Sequence, residues 1–256
     1  MAEGTSLEAM QRLLDVPNTR LGFALWRGNT LVPEDVQRLS RLPAVRLYFQ
    51  SPLEPVHVEV AENVRCRRSA VVVVPSDQHP PESLGWRLAR MGATQRMVLL
   101  EGEPSVERLA LLAAIPAVTV GIRLPAGGLE EEQRAALAPM RRGIQVVVPA
   151  SADPAAVRDL RDLPPESLLL ETEGNRLRAE ILEAAVATGA RLVVEMDGGL
   201  SHSDLVELKG TPRLEILVRV DDSPGVPEGL AELLEASEGL PQAVERTEEE
   251  ERSPIR

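Results

Sequence analysis

The sequence predicts an α/β protein: a full or partial (βα) barrel with parallel strands and outer helices. Three observations predict it. Short Val- and Leu-rich runs alternate with helical patterns of about ten to thirteen residues, as in βα units. Successive strands recur every roughly 20 to 27 residues, the length of one compact unit. Some runs, above all Ala70 to Pro75, are apolar without interruption, as strands covered on both faces are. Leucine-rich repeats share this period, but no Asn or Cys column follows the strands and the units vary in length, so a curved scaffold is kept only as an alternative.

Taken in order, Ser6 to Asp15 reads as an amphipathic helix with Ser6 at its N-cap and Leu7, Met10, Leu13 and Leu14 on one face. Leu21 to Trp26 is a strand, Pro33 opens a helix carrying Val36, Leu39 and Leu42, and Val45 to Phe49 is the next strand. Val56 to Ala61 alternates as a strand does and runs into the Arg-rich loop Glu62 to Ser69. Strand Ala70 to Pro75, a helix from Pro81 to Met91 stopped by Gly92, and strand Met97 to Leu100 follow. Further strands read at Val118 to Ile122, Ile144 to Val148, Leu168 to Leu170, Leu192 to Glu195 and Leu214 to Val220. Helices between them read at Val106 to Ala114, Glu130 to Met140, Pro154 to Asp162, Arg176 to Thr188 and Ser203 to Lys209, with a last one at Gly229 to Ala236. The two units within residues 1–50 are read as an N-terminal βα extension, with the first units of the barrel as the alternative; 51–240 is expected to be the barrel of six or eight strands, and 241–256 a disordered acidic tail.

Composition narrows the function classes. The chain has 256 residues and only two Trp, one Tyr and two Phe, so its core must be built from Leu, Val, Ala and Ile. A formal charge of -12 leaves no excess of Lys and Arg to neutralise phosphates, which argues against nucleic-acid and anionic-membrane partners. The single cysteine, Cys66, permits no internal disulfide, and three scattered histidines have no metal-ligand spacing, so no metal is expected. With no signal segment and no apolar run of about 18 residues, a soluble cytoplasmic protein is expected.

Two stretches carry a family resemblance. Pro55-Val56-His57-Val58-Glu59-Val60-Ala61-Glu62-Asn63 resembles the first barrel strand of radical S-adenosylmethionine enzymes, in the peptide-modifying group related to the PQQ and molybdenum-cofactor maturases. In that family the strand leads into CxxxCxxC, which holds a four-iron cluster, and a later strand ends in G-G-E-P. At the matching distance this chain has Leu100-Glu101-Gly102-Glu103-Pro104. The loop that would carry the cysteines reads Asn63-Val64-Arg65-Cys66-Arg67-Arg68-Ser69, with one thiol where three are needed. The resemblance therefore implies a protein without the iron-sulfur cluster and without the family's chemistry. Gly102, Glu103 and Pro104 match the cofactor-binding turn as a vestige, while Glu101 in place of the first glycine adds bulk and charge that work against bound S-adenosylmethionine.

What this implies is a non-catalytic pseudoenzyme with no catalytic residues. It would bind a protein or peptide partner, an active radical S-adenosylmethionine enzyme among the candidates, in peptide modification. Arg65, Arg67 and Arg68, together with Glu101, Glu171, Glu195 and Asp197, are its candidate binding surface; the arginines either pair with acidic strand ends or form an exposed basic loop. Polar residues also end other strands: Arg123, Ser151, Asp153, Glu173, Arg219, Asp221 and Asp222. In a barrel they face its C-terminal mouth, where barrel enzymes keep their sites. The alternative reading is accordingly a (βα) barrel enzyme using strand-end carboxylates with a divalent metal.

Overall fold

The computed structural model describes residues 20–26, 28–31, 36–37, 39–40, 44–115, 118–140, 143–163, 165–173, 176–196, 208, 211 and 214–219. The helices expected at 6–15 and 229–236, most of that at 203–209, the tail, and Asp197, Asp221 and Asp222 lie outside the described residues. Nine parallel strands close into one barrel in sequence order. They are β1 (Arg20–Leu25), β2 (Ala44–Gln50), β3 (Arg67–Val74), β4 (Gln95–Leu100), β5 (Thr119–Arg123), β6 (Ile144–Val148), β7 (Ser167–Glu171), β8 (Arg191–Met196) and β9 (Leu214–Arg219). The ring closes between the first and last, with Arg20 opposite Glu215 and Ala24 opposite Arg219.

Among the described residues, outer helices make the crossovers from β2 through β8 that parallel neighbours require. They are α1 (Pro55–Glu62), α2 (Leu84–Arg90), α3 (Val106–Ala113), α4 (Glu131–Leu137), α5 (Pro154–Arg158) and α6 (Ala179–Ala187). Local sequence fixes several starts. The Ser105 hydroxyl accepts from the Arg108 amide, the Asp153 carboxylate accepts from the Ala155 amide at 2.9 Å, and Glu130 with Gln133 forms a capping box.

Each strand has two buried faces. Ala70, Val72 and Val74 of β3 pack outward against the helices, while Val71 and Val73 point inward with Tyr48, Met97, Leu99, Leu169 and Leu217. The unbroken Val run is therefore two alternating faces that both happen to be apolar. Inside, space is tight: a Cβ on Gly121 of β5 would sit 3.0 Å from Leu99 Cδ1 and 3.1 Å from Met97 Sδ.

Two expectations are corrected. Val56 to Ala61 is no strand but the body of α1. Pro55 occupies its first turn, Glu54 and His57 form a capping box, and Val58 and Ala61 are buried while Val56 is 53% exposed. The physical reason is topological: β2 and β3 are hydrogen-bonded neighbours in parallel, so the chain between them must cross over and has no ladder to join. Likewise residues 20–50 are not an extension, because β1 and β2 supply two strands of the ring, which has nine strands where six or eight were expected.

Candidate functional site

Parallel strands bring all their C-terminal ends to one rim, and at that rim lies a cavity of about 200 Å³. Its floor is aliphatic, made by the inward residues Val73, Leu99, Val147 and Leu169. Charged strand ends form its wall: Glu101, Arg123, Glu171, Glu195 and Arg219. Polar recognition groups above an apolar floor are the usual make-up of a small-molecule site.

Glu195, on β8, is the most deeply placed of these, with its side chain only 6% exposed. Such a carboxylate must be compensated by donors. Arg219 of β9 donates from Nε at 3.1 Å and from Nη2 at 2.8 Å, and the Trp26 indole N–H donates to the same oxygen. To the second oxygen the Tyr48 hydroxyl donates at 3.2 Å. The indole lies flat on the Tyr48 ring, with centroids 3.8 Å apart and planes 7° from parallel, and the Arg219 guanidinium lies over the indole at 5.3 Å. Cation, indole and phenol thus form one stack hinged on one carboxylate.

Below the stack the interior stays polar. Arg46 is 3% exposed and sits 4.0 Å from Glu215. Burial alone would lower its pKa, but Tyr48 and Glu215 outweigh burial and the guanidinium is held charged. Burial first, then the Glu195 carboxylate, pushes the Tyr48 phenol well above its ordinary range, so it stays a proton donor to Glu195. Gln145 Nε2 donates to Ser167 Oγ at 2.8 Å in the same layer.

Across the rim, Arg123 of β5 grips Glu171 of β7 with both terminal nitrogens, bypassing the strand between them. Both side chains remain partly exposed, at 44% and 35%, so the pair is open to the cavity.

The third part of the rim is Glu101 and Gly102. Arg108, buried in α3, donates to the carbonyls of Glu101 at 3.0 Å, Val74 at 3.1 Å and Pro75 at 2.7 Å, pinning the turns after β3 and β4 together. Gly102 has φ +73°, and a Cβ there would meet Ser76 Cβ at 2.9 Å. Gly102→Ala is therefore expected to cost about 1–2 kcal/mol, the left-handed penalty with a clash added, read as a lower denaturant midpoint.

The residues expected from sequence divide between the two ends of the barrel. Glu101, Gly102, Glu171 and Glu195 meet at the mouth. Glu103 is exposed on the same turn, and the Pro104 carbonyl accepts from Gln133 Nε2 at 2.9 Å, outside the cavity. Asp197 lies outside the described residues. Arg65 and Arg67 precede or open β3, at the opposite, N-terminal rim. Arg68 donates there to the carbonyls of Val64 and Met91, so its partners are backbone and not acidic strand ends. Cys66 is half-buried nearby, and burial pushes its thiol pKa up. Trp26 and Tyr48 were missed. Their signal was an Arg46/Tyr48 alternation inside an otherwise apolar strand, in a chain almost without aromatic residues.

Among the described residues no three His, Cys, Asp or Glu side chains are grouped so as to hold a metal ion, and no helix is long and apolar enough to cross a membrane. No protein-family model matches the chain, and no curated protein matches it. Among solved structures it is similar to phosphoribosyl anthranilate isomerase from Thermus thermophilus, with 16% identity, a TM-score of 0.47, and 85% of this chain and 98% of that one covered. Likeness at this level says nothing of chemistry.

Proposed function

We propose that the protein is a small-molecule (βα) barrel. It binds a small organic compound at the C-terminal mouth, and Glu171 is the group there suited to exchange a proton with it. One observation carries this reading: the charged strand ends pair with one another across the rim and leave an aliphatic floor open beneath them. Glu195 has four donor contacts and acts as an anchor for Arg219, Trp26 and Tyr48. Glu171 has one arginine partner, partial exposure and lone pairs to spare. A metal-dependent form of the same enzyme gains no support from Glu171 and Glu195, which are already committed to arginines.

Thermal denaturation against a mixed pool of small metabolites tests the reading. A ligand at one hundred times its Kd adds about 2.7 kcal/mol of stability and raises Tm by several degrees. The rise should be lost in Arg219→Ala. A pool that moves Tm nowhere would remove the proposal.

A second reading, a cluster-less radical S-adenosylmethionine relative acting as a binding subunit, draws on the Glu101–Gly102 turn at the mouth. Against it, the segment resembling the family's first strand is helix α1, and the Arg-rich loop and the Gly102 turn sit at opposite rims. Calorimetry with S-adenosylmethionine separates the two readings; heat that disappears in Gly102→Val would favour the second.

A further inference from the structure

We infer that the mouth ligand is a zwitterion, an α-amino acid with an aliphatic side chain; this rests on the small-molecule reading above. The five charged residues of the wall are three carboxylates and two guanidiniums, one negative charge in excess. Around the ring their signs run negative, positive, negative, negative, positive. Glu101 follows β4, Arg123 is on β5, Glu171 on β7, Glu195 on β8 and Arg219 on β9.

Such a rim discriminates among ligand charges. A phosphate or a dicarboxylate would bring more negative charge to a wall already in negative excess, and each guanidinium it sought is faced by a carboxylate. A simple amine would meet two guanidiniums. A zwitterion adds no net charge and offers each pole a complementary group. Its ammonium takes the outer lone pairs of Glu171, whose inner ones face Arg123, and its carboxylate lies toward Arg219 above the Trp26 ring. The remaining contact is apolar: Val73, Leu99, Val147 and Leu169 leave a dry floor for a branched aliphatic side chain. Aromatic side chains fit less well, because the one ring at the wall is already stacked on Tyr48 and covered by Arg219.

The test uses the full chain and calorimetry with L-leucine, L-valine and L-methionine. The controls are 4-methylpentanoate, which lacks the ammonium of leucine, 3-methylbutylamine, which lacks its carboxylate, and inorganic phosphate. At least one amino acid should bind about tenfold or more tightly than every control, since losing either charged pole forfeits a charge-assisted hydrogen bond. Glu171→Gln should weaken that amino acid about tenfold while 4-methylpentanoate binds no more weakly than before, since the change removes a carboxylate and frees Arg123, a split that a merely loosened fold would not produce. The inference is overturned if none of the three amino acids binds, or if a control binds as tightly as they do. In that second case the mouth still takes a small molecule, whereas silence from these probes and from the metabolite pool would end both proposals.

Discussion

Arg108→Met is expected to destabilise the protein by about 3 kcal/mol and to loosen one side of the mouth. Arg108 is 5% exposed, and its guanidinium donates to three carbonyls on two separate turns. Hydrogen bonds from a charged donor contribute about 1.5–3 kcal/mol each, and they are not additive when one group makes all three. Methionine fills much of the volume but leaves those carbonyls at the strand ends without the donor. Arg108→Lys should recover less than half the loss, because an ammonium is a point donor and cannot fork to carbonyls on both turns. Denaturant midpoints give the energies. Hydrogen exchange gives the location: protection should fall around Gly102 and Ser76 while the β6–β8 side of the barrel is unchanged. Uniform loss of protection would show that Arg108 supports the whole fold and not the rim.

Glu195→Ala should cost about 2–3 kcal/mol, chiefly through the fully buried Tyr48 hydroxyl, which would lose its acceptor. The part of the loss from Arg219 is small, since that side chain is 41% exposed and water replaces the ion pair. Glu195→Gln keeps an acceptor and should cost about 1 kcal/mol. Trp26 reports the change directly: in a Trp86→Phe background its emission should shift to longer wavelength in Glu195→Ala as the indole leaves the Tyr48 ring. An unshifted spectrum would mean that the ring stack stands without the carboxylate.

Much of this was legible in the sequence, for reasons that particular residues make plain. The strands were readable because Val-rich runs such as Ala70 to Val74 are long enough to span a buried sheet and recur at the βα period. The rim charges were readable too, since Arg123, Glu171, Glu195 and Arg219 each follow or end an apolar run. Helix α1 was not. Its Val56-His57-Val58-Glu59-Val60 has the alternation and β-branching of a strand, and what decides against that is the pairing of β2 with β3 elsewhere. A local clue did exist in Pro55 at the first turn with Glu54 and His57 three apart, and the alternation outweighed it. The resemblance to a radical enzyme's first strand was drawn on the same segment, and a helix in place of that strand puts its two halves at opposite ends of the barrel. Nor could the site's pairings be read, because which charge meets which depends on closure: nothing local tells Arg123 to pass over β6 and take Glu171.

The closing of the ring has a consequence for when the site exists at all. Trp26 follows the first barrel strand, and its partner Glu195 is 169 residues away; Tyr48 reaches the same carboxylate over 147. Contacts of such separation form late, after shorter loops have closed. The Arg219 that completes the cluster arrives only with the ninth strand, on the seam against β1. A chain with eight strands in place would have most of its core and a mouth without Arg219. Whatever engages Glu195, Trp26 and Arg219 together straddles that seam and works as a clasp, so occupancy of the mouth and resistance of the barrel to opening are one and the same quantity seen from two sides.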